Sequence, residues 1–131
     1  MILVDTTFLI DLQRSSRNPR HQAAEQWLVK HAEAELVLPV IVLGEFAEGF
    51  TDPAHPVLEH YRTAHRVIAV DERVALKYGN LSRNLRQQGN SIGGNDTWIA
   101  ATALAHGLPL LTRNANHYKR VQGIQLEEYG I

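Results

Sequence analysis

Short apolar runs, each closed by a polar or turn residue, alternate along this chain with longer stretches whose apolar residues recur at helical spacing. "MILV" is such a run, ended by Asp5, and reads as a buried strand. "TTFLIDLQ" begins a helix. Beyond Asn18-Pro19, "RHQAAEQWLVKHAEAE" sets Ala24, Trp27, Leu28 and His31 on one helical face. "LVLP" is a second strand stopped by Pro39, and "VIVLGEFAEGF" follows as a helix with Gly49 near its end. "TDPAHP" punctuates the chain before a helix in "VLEHYRTAH" and a third strand in "RVIAV". "DERVALKYGNLSRNLRQQG" predicts a helix with Asp71 as N-cap and Gly89 as its stop. "GGNDTWIAATALAHG" predicts another helix, "LPLLT" a fourth strand and "IQLEEY" a fifth.

Strands alternating with helices, several of the strands apolar on both faces, predict a parallel sheet covered by helices, the α/β class. With 131 residues and no repeat, linker or low-complexity tract, residues 1–131 fit one domain with a core large enough to fold unaided. No run reaches the roughly 20 apolar residues of a membrane helix, and no basic leader precedes "MILVDTTFLIDLQRSS". The absence of Cys excludes disulfides, thiolate catalysis and Cys-based zinc sites, and agrees with a cytoplasmic location. The seven His include no H-x-x-x-H pair, which argues against a zinc hydrolase.

The net charge is −1, so the chain as a whole does not read as a nucleic-acid binder. The distribution is more informative. Ten of the 13 cations are Arg, with Arg14, Arg17 and Arg20 in one cluster and Arg113, Lys119 and Arg120 in another. Arg suits phosphate because its planar fork makes two bonds at once, while solvated surface charge accounts for either cluster equally simply.

In open α/β sheets, functional groups collect beyond the carboxyl ends of the strands. Asp5 ends the first strand, Asp71 the third, and Asn114 follows the fourth. Asp96 opens a helix leading into the fourth strand, and is expected at the same end as Asp5. Asp5, and Asp96 or Asn95, each admit a second reading as helix caps. Asp71 reads as a cap. Glu45 sits among apolar residues in "VLGEFAEGF", where it is either a partnered carboxylate at the edge of the core or, with Glu48, a wet surface acid. Acids drawn together repel one another, and a divalent cation relieves that repulsion. Mg²⁺ prefers oxygen ligands and is commonly held by a few carboxylates plus a substrate phosphate, so Asp5, Glu45 and Asp96 at one point would indicate phosphodiester hydrolysis.

The stretches "ILVDTTFLIDL", "LPVIVLGEFAEGF" and "GGNDTWIAATALAHGLPLLTRNANHY", in this order and covering nearly the whole chain, resemble the PIN-domain family and, more narrowly, the VapC-type toxins of prokaryotic toxin–antitoxin pairs. That resemblance implies a three-layer α/β/α sandwich with a central parallel sheet of 4–5 strands. It implies a Mg²⁺- or Mn²⁺-dependent endoribonuclease with Asp5, Glu45 and Asp96 as the catalytic metal ligands. It also implies an RNA substrate, a homodimer, and a VapB-like antitoxin whose C-terminal segment covers the site. Phe8, Leu9, Trp27 and Phe46 are candidates to line the groove for that segment, or else are core.

One position departs from the family. Its fourth acid falls in "TRNANHYKR", where this chain has Asn114, and His117 stands where some relatives carry a further acid. Asn114 offers a carbonyl oxygen but no charge, so a second ion is expected only with the RNA phosphate. Arg14, Arg17, Arg113 and His117 are candidate RNA contacts. Thr6 and Thr112 either orient water or phosphate or satisfy local backbone groups. Two rivals stand beside the nuclease. A PIN-like module that binds RNA or protein without cleaving is supported by Asn114. A receiver-like phosphoacceptor lacks paired acids at Asp5 and has Arg113 in place of the needed lysine. No GxGxxG loop supports a nucleotide cofactor.

Overall fold

The computed structural model describes residues 1–14 and 22–130. Five short strands form one parallel sheet: β1 (Ile2–Val4), β2 (Leu36–Pro39), β3 (Arg66–Ile68), β4 (Leu110–Thr112) and β5 (Leu126–Glu128). The helices are α1 (Thr6–Arg14), α2 (Gln22–Lys30), α3 (Val40–Glu48), α4 (Pro56–Ala64), α5 (Glu72–Gln87), α6 (Gly94–His106) and α7 (Ala115–Tyr118). The sheet order is β3-β2-β1-β4-β5. The chain winds outward from β1 through β2 to β3, then returns to lay β4 on the other side of β1. Right-handed crossovers place the helices of the first half on one face and those of the second half on the other, giving three layers.

The three central strands are the fully buried ones. Every residue of β1, β2 and β4 is buried, and Leu3 pairs in register with Val37 on one side and Leu110 on the other. Such strands are covered on both faces, as a parallel sheet requires. The edge strands β3 and β5 carry Arg66 and Glu128 and are only partly buried.

Helix α6 explains how the second layer lies close. Its buried face is Ala100, Ala101 and Ala103 with Ile99 and Thr102, and the Thr102 hydroxyl donates to Trp98 O at 2.8 Å, which satisfies the polar atom. Gly107, at φ 62°, ends the helix, with Leu108 N donating to Ala103 O at 3.0 Å across the turn. Helix α5 begins as the sequence predicts, with Asp71 accepting from Val74 N at 2.9 Å.

Some expectations are corrected. Phe8, Leu9 and Phe46 fill the core, while Trp27, though buried, still forms part of the wall of an open cavity between α2 and the end of β5. Trp27 also donates to Glu127 at 3.2 Å, tying α2 to β5. His31 lies just beyond α2 and is exposed, stacked on the Trp27 ring. Arg17 and Arg20 lie outside the described residues. Among the described residues, no helix is long and apolar enough to cross a membrane.

Candidate active site

The sheet order puts a topological switch between β1 and β4, because the chain leaves β1 toward one edge and later fills its other side. A crevice opens beyond the carboxyl ends of strands at such a point. Asp5 stands at the end of β1 and Thr112 at the end of β4, and the Thr112 hydroxyl donates to Asp5 Oδ2 at 2.6 Å across the gap. The other carboxylate oxygen of Asp5 accepts from Phe8 N at 3.0 Å, so Asp5 also caps α1. Asp5 is only 6% exposed. Burial pushes its carboxyl up to about 6, the bonds from Thr112 and Phe8 N oppose that, and the charges of Asp96 and Asp11 raise it further.

Glu45 comes from the middle of α3 and is half-buried, while Glu48 on the same helix is exposed. The Thr6 hydroxyl donates to Glu45 Oε1 at 2.6 Å and Asn95 Nδ2 to Oε2 at 3.3 Å. The partnered reading of Glu45 therefore holds. Its partners come from the first residue of α1 and the first turn of α6, which brings three elements to one place.

Asp96 lies in the first turn of α6, but neither it nor Asn95 caps the helix. Gly93 occupies the cap position at φ 95°, a conformation open to glycine, and Gly93 O accepts the first helical bond from Thr97 N at 3.0 Å. The helix thus starts three residues earlier than an Asp96 cap implies. This frees the Asp96 carboxylate, whose side chain is 39% exposed, to meet His117 Nε2 at 2.9 Å. The same Nε2 lies 3.0 Å from Ile92 O. Both neighbours are acceptors, so Nε2 carries the hydrogen. His117 therefore joins the site by holding an acid rather than by facing open solvent. Tyr118, beside it, is buried. Desolvation raises its phenol pKa, as do the charges of Asp96, Asp5 and Glu45 and a hydrogen bond to Asp96. One phenol thus senses all three acids.

The remaining candidates divide. Asn114 is exposed between β4 and α7, its side chain makes no capping bond, and its N–H donates to Thr112 Oγ1 at 2.9 Å. Thr112 is fully buried, and its hydroxyl is committed to Asp5 and to the loop that follows β4. The Thr6 hydroxyl is likewise committed to Glu45. Arg14 sits at the far end of α1, roughly 13 Å along the helix from Asp5, and is exposed away from the acids. Arg113 Nη1 pairs with Asp11 at 3.1 Å. Three residues of this neighbourhood went unflagged in the sequence, Asp11, Tyr118 and Tyr129, and Asn95 was read there only as a helix-cap candidate. Asp11 carried a usable signal, an acid flanked by apolar residues in "LIDL", the same feature that marks Glu45.

Three carboxylates are the hard oxygen donors that Mg²⁺ or Mn²⁺ takes, and their mutual repulsion is what a divalent cation relieves. Donor type and charge therefore fit such an ion. Among the described residues, however, no three Asp, Glu, His or Cys side chains stand grouped to hold a metal as they lie. Each acid is turned toward its own protein donor, so closing on an ion requires side-chain rotation.

A PIN domain family model matches residues 2–123. Ribonuclease VapC4 of Mycobacterium tuberculosis is 30% identical, covering 95% of this chain and 93% of its own. VapBC-1 from nontypeable Haemophilus influenzae superposes with a TM-score of 0.78 at 26% identity, covering 98% of each chain. A toxin–antitoxin complex from Klebsiella pneumoniae superposes with a TM-score of 0.67 at 25% identity, covering 95% of each chain. With the family model spanning almost the whole sheet and all three stretches that carry the acids, this chain belongs to the PIN-domain family and, within it, to the VapC proteins.

Proposed function

We propose that this protein is a divalent-metal-dependent endoribonuclease, the toxin of a type II toxin–antitoxin pair. It acts in the cytoplasm as a homodimer and is restrained by a VapB-like antitoxin whose C-terminal segment covers the site. The observation that carries this reading is that Asp5 stands at the switch point between β1 and β4, while Glu45 accepts from Thr6, the residue after Asp5, and from Asn95, the residue before Asp96. A relative named as a ribonuclease and a solved toxin–antitoxin complex, both similar over nearly the whole chain, support it.

Asp5, Glu45 and Asp96 would hold Mg²⁺ or Mn²⁺, with the neutral carbonyl oxygen of Asn114 as a candidate further donor. What a divalent ion supplies when bound is activation of water and neutralisation of charge building on the scissile phosphate. The protein's own part is orientation. Thr112 and Phe8 N aim Asp5, Thr6 and Asn95 aim Glu45, and His117 aims Asp96. Hydrolysis adds the oxygen of water to phosphorus, breaks one P–O ester bond and returns a proton to the leaving sugar oxygen. Three carboxylates suffice for one ion, and a second ion arrives with the RNA phosphate.

The test is cleavage of total cellular RNA by purified, antitoxin-free protein in Mg²⁺, Mn²⁺ or EDTA, beside Asp5→Asn and Asp96→Asn. Cleavage that needs metal and disappears in both variants is expected. The rival, a PIN-like module that binds without cleaving, draws on the uncharged Asn114. Folded wild type that cuts nothing with either metal, while both variants bind RNA as it does, would establish that rival.

A further inference from the structure

Behind the acids lies a second polar group that the proposed chemistry does not use. Asp11, one helical segment beyond Asp5 on α1, is buried, with its side chain 3% exposed. Its Oδ2 accepts from Tyr129 OH at 3.0 Å and pairs with Arg113 Nη1 at 3.1 Å. Three parts of the chain meet here: α1, the residue after β4, and the residue after β5. The stem of Arg113 runs over Gly130, where an added Cβ would come within 3.3 Å of both Arg113 Cγ and Cδ. Gly130 also has φ 80°, so the chain turns there in a way that leaves the stem its path.

Burying a carboxylate to meet an arginine is an expensive route to stability, since a well-packed apolar pair is often as good. Its position gives it another use. Arg113 lies between Thr112, whose hydroxyl touches Asp5, and the exposed Asn114. Its side chain is 43% exposed. A guanidinium has five N–H donors in a rigid fork, and the pair with Asp11 engages Nη1. Burial raises the Tyr129 phenol, the charges of Asp5 and Asp11 raise it further, and Arg113 opposes them. A crevice lined by carboxylates repels RNA, so a fixed, part-exposed cation on the residue next to Thr112 is what a polyanionic strand needs on approach.

We propose that Arg113 binds an RNA backbone phosphate beside the scissile bond, and that Asp11 and Tyr129 are positioning residues that fix its guanidinium there. This rests on the ribonuclease reading above. Because the arginine is held before RNA arrives, little of its side-chain freedom remains to be lost on binding.

The test measures anisotropy of a short fluorescein-labelled single-stranded RNA of mixed sequence, in EDTA, across a salt series. The proteins are wild type, Arg113→Ala, Arg113→Lys and Tyr129→Phe, each checked for melting temperature. Arg113→Ala is expected to weaken binding about tenfold and to lower the slope of log affinity against log salt by about 0.7, the value for one phosphate on a single strand. Arg113→Lys restores the slope but not the full affinity, because a lysine lacks the fork. Tyr129→Phe keeps every charge and is expected to weaken binding about twofold through a looser Arg113. Variants that melt lower but bind RNA with wild-type affinity and slope would overturn the proposal and leave the group a structural tie. Metal-dependent cleavage by wild type separates that result from failure of the ribonuclease reading, since the enzyme would still cut while Arg113 proved irrelevant to binding.

Discussion

The hydroxyl of Thr112 donates to Asp5 Oδ2 at 2.6 Å while accepting from Asn114 N at 2.9 Å. One fully buried side chain thereby joins the acid at the end of β1 to the loop leaving β4. Thr112→Val keeps the shape and removes both bonds. Losing both bonds leaves the buried Asp5 oxygen short of a partner and should cost about 1–3 kcal/mol, read by urea unfolding. RNA cleavage should fall at least about tenfold, chiefly in kcat, because Asp5 loses its aim. Thr112→Ser, which keeps the hydroxyl, should recover most of both.

Asp5 also ties stability to pH. Its carboxyl is raised from 3.8 to about 6 in the folded, metal-free protein, so the native state binds more protons than the unfolded chain between those values. Stability is therefore fully present below pH 3.8 and is lost as pH rises through about 6, by roughly 3 kcal/mol at most from this group. Asp5→Asn should abolish cleavage, yet melt higher than wild type at pH 7.5 without metal. At pH 4 the two should differ little. A wild-type melting curve that gains stability relative to Asp5→Asn across that window would refute this assignment.

Asp71 supplies the contrast among the strand-end acids. It follows the edge strand β3, away from the switch point between β1 and β4, and caps α5 through Val74 N at 2.9 Å. Asp71→Ala should lower stability by about 1 kcal/mol and leave cleavage unchanged, measured by thermal unfolding and initial rates.

Gly93 sets where α6 starts and therefore where Asp96 points. At φ 95°, Gly93→Ala should cost about 1–2 kcal/mol from backbone strain alone. It should also reduce kcat more than KM, because the first turn carrying Asp96 and Asn95 shifts as a unit.

These residues show what the sequence discloses and what it withholds. The central strands are legible because "ILV", "LVLP" and "LLT" are apolar on both faces, a pattern only a covered parallel sheet explains. The order β3-β2-β1-β4-β5 is not legible, since nothing local in a strand names its neighbour. Helix α7 is four residues long, too short to show a period. Glu45 could be singled out as an acid among apolar residues, but its partners Thr6 and Asn95 are 39 and 50 positions away. The same distance hid Asp11, whose bond to Tyr129 spans 118 positions. The Asp96 cap failed for a local reason: two glycines precede it, and the one with positive φ took the cap and moved the start of the helix.

The central claim is that Asp5, Glu45 and Asp96 together hold one divalent ion. It is tested most directly by titrating the protein with Mn²⁺ and counting free ion by electron paramagnetic resonance. Wild type should bind one Mn²⁺ per chain in the absence of RNA. Asp5→Asn, Glu45→Gln and Asp96→Asn should each weaken that binding by about tenfold or more. Binding in wild type that none of the three substitutions weakens would contradict the account and place the ion elsewhere on the protein.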